Sequence, residues 1–445
     1  MPKSRMQEFF NEKAVLCEKN DTIPNILFQE YGVNRGLRDQ SGKGVLTGLT
    51  RISDIVSYRQ VGGVRESCAG ELWYRGYPIK SLIAQRNSVF GFEKTAYLLL
   101  FGEMPSEQEL QEFCRILGQF RTLPANFVRD VIMKAPTKDI MNSMTKSILT
   151  LASYDSTVGN DSLMASIQQC FRLIATFPLL ATYGYHAYNH YENYDSMYIH
   201  QPDLEKSTAE NFLALLRPDG KYTVLEADVL DVALMLHMEH GGGNNSTFTT
   251  RVVTSSGSDT YSTIAAAMSS LKGTKHGGAN IKVMQMMQNI RENVSDWLDR
   301  DAVRAYLDQI LEKQVFDKKG LIYGIGHAVY SISDPREQVL KSYVEELAVE
   351  KGKETELQLY RYVEELAPEL IAKKRHIFKG VSPNVDFYSG FVYDMLGIPV
   401  ELYTPLFAIA RVVGWCAHRL EELINAGKIV RPSYKSVMTK AQEYE

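Results

Sequence analysis

The chain has 445 residues, 44% hydrophobic and 23% charged, an ordinary globular composition with room for about two or three domains and a large core. Forty-nine basic residues face fifty-three acidic ones, and a formal net charge of −4 recruits neither nucleic acid nor an anionic membrane. Five scattered cysteines, Cys17, Cys68, Cys114, Cys170 and Cys416, show no CxxC or metal spacing, which predicts free thiols in a reducing compartment. The opening MPKSRMQEFFNEKAV lacks an apolar signal core and carries acidic residues, unlike a transit peptide. No apolar run approaches the roughly 20 residues of a membrane span, so the expectation is a soluble, cytoplasmic protein.

Residues from about 44 to 82 carry the main β signal, because GVLTGLTRISDIV and ELWYRGYPI are branched, aromatic and broken by glycines. Helical periodicity dominates afterwards. In PSEQE, Ser106 and Glu109 form a capping box, and Leu110, Phe113, Cys114 and Leu117 follow at helical spacing. Residues 263–271 read as a helix stopped at Gly273. A further helix over 281–290 follows Gly277 and Gly278, its methionines serving as core filler. Residues 334–375 repeat with a period near 3.6, and 404–423 form a long helix with Thr404 as cap, Pro405 at its first position and Arg411 upon it. The last stretch, IVRPSYKSVMTKAQEYE, is polar and expected at the surface. There is no internal repeat. The expected fold is mainly α, with a little β near the N-terminus.

Histidines beside glycine clusters are the candidates for chemistry. His237 and His240 precede a run of three glycines, and their HxxH spacing raises a metal reading. It is not HExxH, however, and no cysteine or carboxylate cluster completes a tetrahedral set. GIGHAV lacks the third glycine of a dinucleotide fingerprint and has no strand before it. His276, in GTKHGGAN, is placed at the mouth of the next helix, where the dipole disfavours protonation and a neutral imidazole can donate to a carbonyl; the bland alternative is a helix-capping His.

In GIGHAVYSISDPR, Asp-Pro predicts a turn that returns Arg336 beside His327, a pair suited to a keto acid. Asp386, between Val385 and Phe387, is expected to be partly desolvated and so a better base; its alternative is an N-cap for the helix after it. Phe407 and Arg411 are one helical turn apart on a shared face.

Taken together, HMEHGGGNNSTFTTR, SSGSDTYSTIAAAMSSLKGTKHGGAN, GIGHAVYSISDPR, NVDFYSG and LFAIAR followed by VRP, with an earlier WYRGYPI, resemble the citrate synthase family in order and in spacing. The resemblance runs from about residue 44 to 435. It implies a large helical domain (1–276 and 382–445) and a smaller one (277–381) that close over the substrates, in a homodimer or a dimer-based assembly. It implies condensation of acetyl-CoA with oxaloacetate and water to give citrate and CoA, the opening step of the tricarboxylic acid cycle, with no metal or cofactor. The related alternative is 2-methylcitrate synthase, which uses propionyl-CoA.

By the same resemblance, Asp386 is the base, His276 the donor to the thioester oxygen, and His327 the residue that polarises the ketone of oxaloacetate. His240, Arg336, Phe407 and Arg411 line the oxaloacetate site, joined by Arg431 from the neighbouring subunit. Leu321, Ile322, Gly324 and Gly326 are implied to contact CoA. Two departures stand out: several relatives carry an acid where this chain has Gly241, and animal-type members an Arg where it has Ser331. Lys373 to Lys379, KKRHIFK, is then the candidate for the CoA phosphates, against a plain solvated basic face.

Overall fold

The computed structural model of the chain describes residues 3–39, 43–86, 89–160, 162–326, 329–375, 380–425 and 427–438. Helices take 61% of the chain and strands 6%, which makes the fold mainly α as expected. The chain separates into two compact units, Met1–Leu49 with Arg431–Glu445, and Thr50–Val430. The expected boundaries after 276 and 381 both fall inside the second unit.

The first unit holds helices α1 (Lys3–Asp21) and α2 (Asn25–Glu30), and no described side chain of either is buried. Within it Lys435 lies over the Tyr31 ring at 5.6 Å.

The second unit begins with an antiparallel sheet of β1 (Ser53–Val61), β2 (Val64–Tyr74) and β3 (Tyr77–Pro78), in that order. Gly62 and Gly63, both at positive φ (59° and 83°), make the tight turn between Val61 and Val64, a conformation that glycine adopts without strain. The sheet starts later than the sequence suggests. Residues 45–50 form no strand, since Gly48 interrupts them and no partner strand among the described residues pairs with them.

Helices α3 (Ile79–Ala84), α4 (Gly91–Phe101), α5 (Glu107–Gln119), α6 (Ile140–Ala152), α7 (Leu163–Asn193), α8 (Thr208–Leu216), α9 (Val224–His237), α10 (Asn245–Ser255) and α11 (Thr260–Leu271) follow. After them come α12 (Ala279–Asn293), α13 (Arg300–Leu311), α14 (Pro335–Lys351), α15 (Glu354–Arg375), α16 (Val385–Met395) and α17 (Tyr403–Ile424). The Ser106–Glu109 capping box is formed as expected. Helix α11 starts earlier than expected, because Asp259 caps it through the Ser262 amide. The periodic stretch 334–375 is two helices, parted at Gly352, whose φ of 62° gives α14 a left-handed end.

Thr404 is not the cap of α17. A 3₁₀ turn over Val400–Leu402 feeds into the helix at Tyr403, and the Thr404 hydroxyl instead donates to the Gly277 carbonyl at 3.1 Å.

A second correction concerns apolar length. Leu163–Asn193 and Val400–Ile424 are long and apolar enough to cross a membrane, but 72% and 83% of their apolar windows are buried inside the protein. They are apolar on all sides because other helices surround them. Phe177, Leu180 and Ala181 on α7, and Ile409, Val413 and Trp415 on α17, sit in the same core.

Candidate active site

The turn 273–278 delivers His276 to the start of α12, where Gly278 occupies the cap position without a side-chain bond. The His276 amide donates to the Gly273 carbonyl at 2.8 Å, which closes the turn. The backbone N–H of Ser246, near the start of α10, donates to His276 Nε2 at 3.2 Å, and the Ser246 hydroxyl lies 2.9 Å from the same nitrogen. An amide can only donate, so Nε2 presents a lone pair and the neutral ring carries its proton on Nδ1. Burial, helped by the charge of Arg411, pushes the His276 pKa down to about 4. The ring is therefore a neutral donor through the physiological range. Trp415 Nε1 donates to the Ser246 hydroxyl at 3.2 Å, which ties α17 to this arrangement.

Helices α14 and α16 begin side by side. Asp334 caps α14 by accepting from the Arg336 amide, and its carboxylate also grips the Arg336 guanidinium, Nε at 3.0 Å and Nη2 at 2.7 Å. The pair is buried, with Arg336 4% exposed and Asp334 not at all. Asp334 also accepts from the Val385 amide at 3.3 Å, which joins the two helix starts. The Asn384 side chain caps α16 by accepting from the Asp386 amide at 3.0 Å. Asp386 is therefore not the cap, and its carboxylate is left for other work. No hydrogen bond to that carboxylate is formed among the described residues. Desolvation pushes its pKa up to about 6, with Asp334 pushing the same way and Arg336 and Arg411 pulling back.

The segment 324–326 runs beside 382–384, through Gly326 N to Ser382 O (2.7 Å), Asn384 N to Gly324 O (2.9 Å) and Asn384 Nδ2 to Gly326 O (2.7 Å). Gly324 has φ 80°, and a Cβ there would come within 2.8 Å of Val283 Cγ2 and 2.9 Å of Phe387 Cδ2. The protein's own packing demands a glycine at this position. Leu321 is 37% exposed and Ile322 is buried.

The turn after α9 supplies the third wall. His237 Nδ1 donates to the Ala233 carbonyl at 2.7 Å and its ring meets Phe407 edge-on at 5.0 Å, while the His240 ring packs on Tyr330 at 5.5 Å. The two histidines of HxxH thus turn to different neighbours. Arg411 is 1% exposed. Its Nε donates to the His237 carbonyl at 2.7 Å, and its guanidinium lies 4.6 Å from the Phe407 centroid. Its charge is felt by both Asp386 and His276, so base, donor and cation lie within electrostatic reach of one another.

His240, His276, Arg336, Asp386, Phe407 and Arg411 are thus brought together from segments up to 171 residues apart in the chain. His327 lies outside the described residues, as do 376–379 of the basic stretch. Lys374 is engaged by Asp308 and Glu312, and Arg375 by the Gly320 carbonyl; Lys373 is exposed. Arg431 is exposed and belongs to the other compact unit. Sequence reasoning missed Asp334, taken only as a turn former, and Ser246, one hydroxyl in a polar run. An Asp directly before Pro-Arg at a helix start was the available signal for the first.

A helical protein that sets a neutral imidazole, a desolvated carboxylate and two buried arginines within electrostatic reach of one another has the parts of an enzyme acting on a carboxylate substrate. Residues 40–433 match the family described as "Citrate synthase, C-terminal domain", and the chain belongs to the citrate synthase family. The citrate synthase of Synechocystis sp. is 35% identical over 368 residues, covering 82% of this chain and 84% of that protein. The 2-methylcitrate synthase of Shewanella oneidensis is 33% identical over 384 residues, covering 83% and 93%. Among solved structures, the ternary complex of citrate synthase from Thermoplasma acidophilum with carboxymethyl coenzyme A and oxaloacetate superposes with a TM-score of 0.76 at 26% identity, covering 93% of this chain and 98% of that one.

Proposed function

We propose that this chain is a citrate synthase, joining acetyl-CoA to oxaloacetate and hydrolysing the resulting thioester to citrate and CoA. The observation that carries the reading is the pairing of Asp386, raised to about 6 and without a hydrogen-bond partner among the described residues, with a His276 whose proton is fixed on Nδ1. Asp386 takes a proton from the acetyl methyl group. That carbon acid is far weaker than any carboxylic acid, so the step needs His276 to donate to the thioester oxygen as charge develops there. The enol carbon then attacks the oxaloacetate ketone, whose oxygen takes a proton from His327, and water finally cleaves the C–S bond. Arg336 and Arg411 hold the carboxylates of oxaloacetate, with His240 and Phe407 beside them. This route draws on no metal or redox cofactor. The relative crystallised with oxaloacetate and a CoA analogue supports the substrate assignment. The proposed setting is a cytoplasmic homodimer or larger assembly in which Arg431 of a second copy reaches the oxaloacetate.

A second reading, 2-methylcitrate synthase, is favoured by similarly close relatives of that name. The two substrates differ by one methylene, a difference worth about 1–3 kcal/mol in a pocket. Thiol release from acetyl-CoA and from propionyl-CoA, each with oxaloacetate, tests both. A higher kcat/KM for acetyl-CoA is expected; a preference for propionyl-CoA would replace the first reading by the second, and no release from either would remove both.

A further inference from the structure

Arg411 poses a problem for the protein before any ligand arrives. It is 1% exposed, and among the described residues its guanidinium makes one hydrogen bond, from Nε to the His237 carbonyl. Both Nη nitrogens are left for a ligand. A cation so far from water is expensive unless a negative charge stands near it. Among the described residues the opposing charge that acts on it most strongly is Glu239, which is wholly buried between His237 and His240 in sequence.

Glu239 is held as an anion by its surroundings. His418 Nε2 lies 3.0 Å from Oε1 and the Ser53 hydroxyl donates to the same oxygen at 2.9 Å. Arg251 Nη2 donates to His418 Nδ1 at 2.8 Å, so the ring proton sits on Nε2 and points at Glu239. Arg251 is itself pinned by Glu421 and Glu422. The other oxygen, Oε2, has no hydrogen-bond partner among the described residues. It lies against α17 at Gly414, one turn beyond Arg411, where a Cβ would stand only 2.5 Å away. The missing side chain at 414 is what lets the carboxylate approach the helix that carries Arg411. Neither Glu239 nor His418 has a part in the steps proposed above.

We propose that Glu239 is the resident counter-charge of the anion site, balancing Arg411 while the site is empty and thereby holding the affinity for oxaloacetate below what the arginines alone would give. It is a positioning residue, since it acts through Arg411 and not on the substrate. Removing its charge has two consequences. The empty protein loses the ion that compensates Arg411, so stability falls. The incoming dianion no longer shares Arg411 with a buried carboxylate, so binding tightens. A residue that merely holds the fold together would lower stability and leave binding unchanged or weaker.

The inference rests on reading this site as the oxaloacetate site, and the test separates the two. Oxaloacetate is titrated by calorimetry into wild type and Glu239→Gln without acyl-CoA, and Tm is measured with and without oxaloacetate. The expected result is a lower Tm for the empty variant, a Kd lower by about tenfold or more, and a larger rise in Tm on adding oxaloacetate. Equal or weaker binding by the variant overturns the proposal. If wild type binds no oxaloacetate, the substrate reading fails. Malonate then serves as the dianion probe, and tighter binding by Glu239→Gln supports the counter-charge while equal or weaker binding overturns it. If Glu239→Gln does not fold alone, the double variant Arg411→Leu/Glu239→Gln decides. Compensating charges predict that it is more stable than either single variant, and additive losses overturn the proposal.

Discussion

The backbone N–H of Ser246 points at Nε2 of His276 across 3.2 Å, and that contact decides which nitrogen of the ring carries the proton. Because the donor is main chain, Ser246→Ala keeps it and loses only the hydroxyl that accepts from Trp415. The expected outcome is a kcat within about tenfold of wild type for Ser246→Ala, against a loss of about 10²–10³ for His276→Ala, the range for one oxyanion donor. Steady-state thiol release measures both. Similar losses for the two variants would mean that the hydroxyl, not the amide, positions the ring.

Asp386 must be ionised to act as a base, and desolvation puts its pKa at about 6, whereas His276 stays neutral down to about 4. The acid limb of kcat/KM is therefore expected near pH 6 and follows Asp386. Asp386→Asn removes the base, with an expected loss in kcat of about 10² or more.

The same shift has a consequence for stability. Between the ordinary value of 3.8 and about 6, the folded chain holds a proton that the unfolded chain has released, so this group's contribution to stability falls as pH rises through that window. Above pH 6 the folded protein carries the full cost of a desolvated carboxylate. Asp386→Asn should then be more stable than wild type at pH 7, by about 1–3 kcal/mol, and indistinguishable from it near pH 3.8. Denaturant titrations at the two pH values check this; a variant less stable at pH 7 would contradict it.

Arg336 has its Nε and one Nη already committed to Asp334, which leaves the other Nη end for a substrate carboxylate. Arg336→Leu is expected to weaken oxaloacetate by about 1.5–3 kcal/mol while changing the KM for acetyl-CoA little. It should also destabilise the fold by about 3–5 kcal/mol, because Asp334 is left buried and unpaired. Calorimetry and thermal melts separate the two effects, and unchanged oxaloacetate affinity would take Arg336 out of the site.

Two glycines close in sequence should behave differently. Gly324→Ala meets both a positive φ and a Cβ within 3 Å of Val283 and Phe387, and Phe387 follows the base directly. Gly326→Ala meets only the positive φ of 97°, with its nearest contact at 3.8 Å. Stability is expected to fall by about 1–3 kcal/mol for Gly326→Ala and by more for Gly324→Ala, with kcat reduced in the latter. Equal losses would show that backbone strain alone matters at both positions.

If Arg431 serves the site of a second copy, inactive Arg431→Leu and Asp386→Asn homodimers should regain activity when mixed. The heterodimer gathers both lesions in one site and leaves the other intact, by the two-fold symmetry of such an interface. Thiol release after subunit exchange, with heterodimers verified by mass, checks this. Full exchange without recovered activity would place Arg431 elsewhere.

Much of the site was legible in the sequence because its pieces are local. The capping box at Ser106, the helix mouth behind His276 and the shared face of Phe407 and Arg411 each depend on residues within about one turn of one another, so spacing alone reveals them. The family motifs added which residues meet. A local signal misled where a distant partner had taken the group in question: Thr404 reads as a cap until the Gly277 carbonyl claims its hydroxyl. Asp386 reads as a possible cap too, and there the choice between neighbouring Asn384 and Asp386 depends on where the helix begins, which spacing does not fix. The β signal before Ser53 failed because a strand exists only when another strand pairs with it.

The sequence by itself determined a mainly helical chain, the residue types of the chemistry and the order in which they come. Only the tertiary structure decided their states. The tautomer of His276, the desolvation of Asp386 and the grip of His418 and Ser53 on Glu239 all arise from contacts between segments far apart in the chain. The field at a buried group is the sum over every charge and dipole packed around it, and most of those neighbours are distant in sequence.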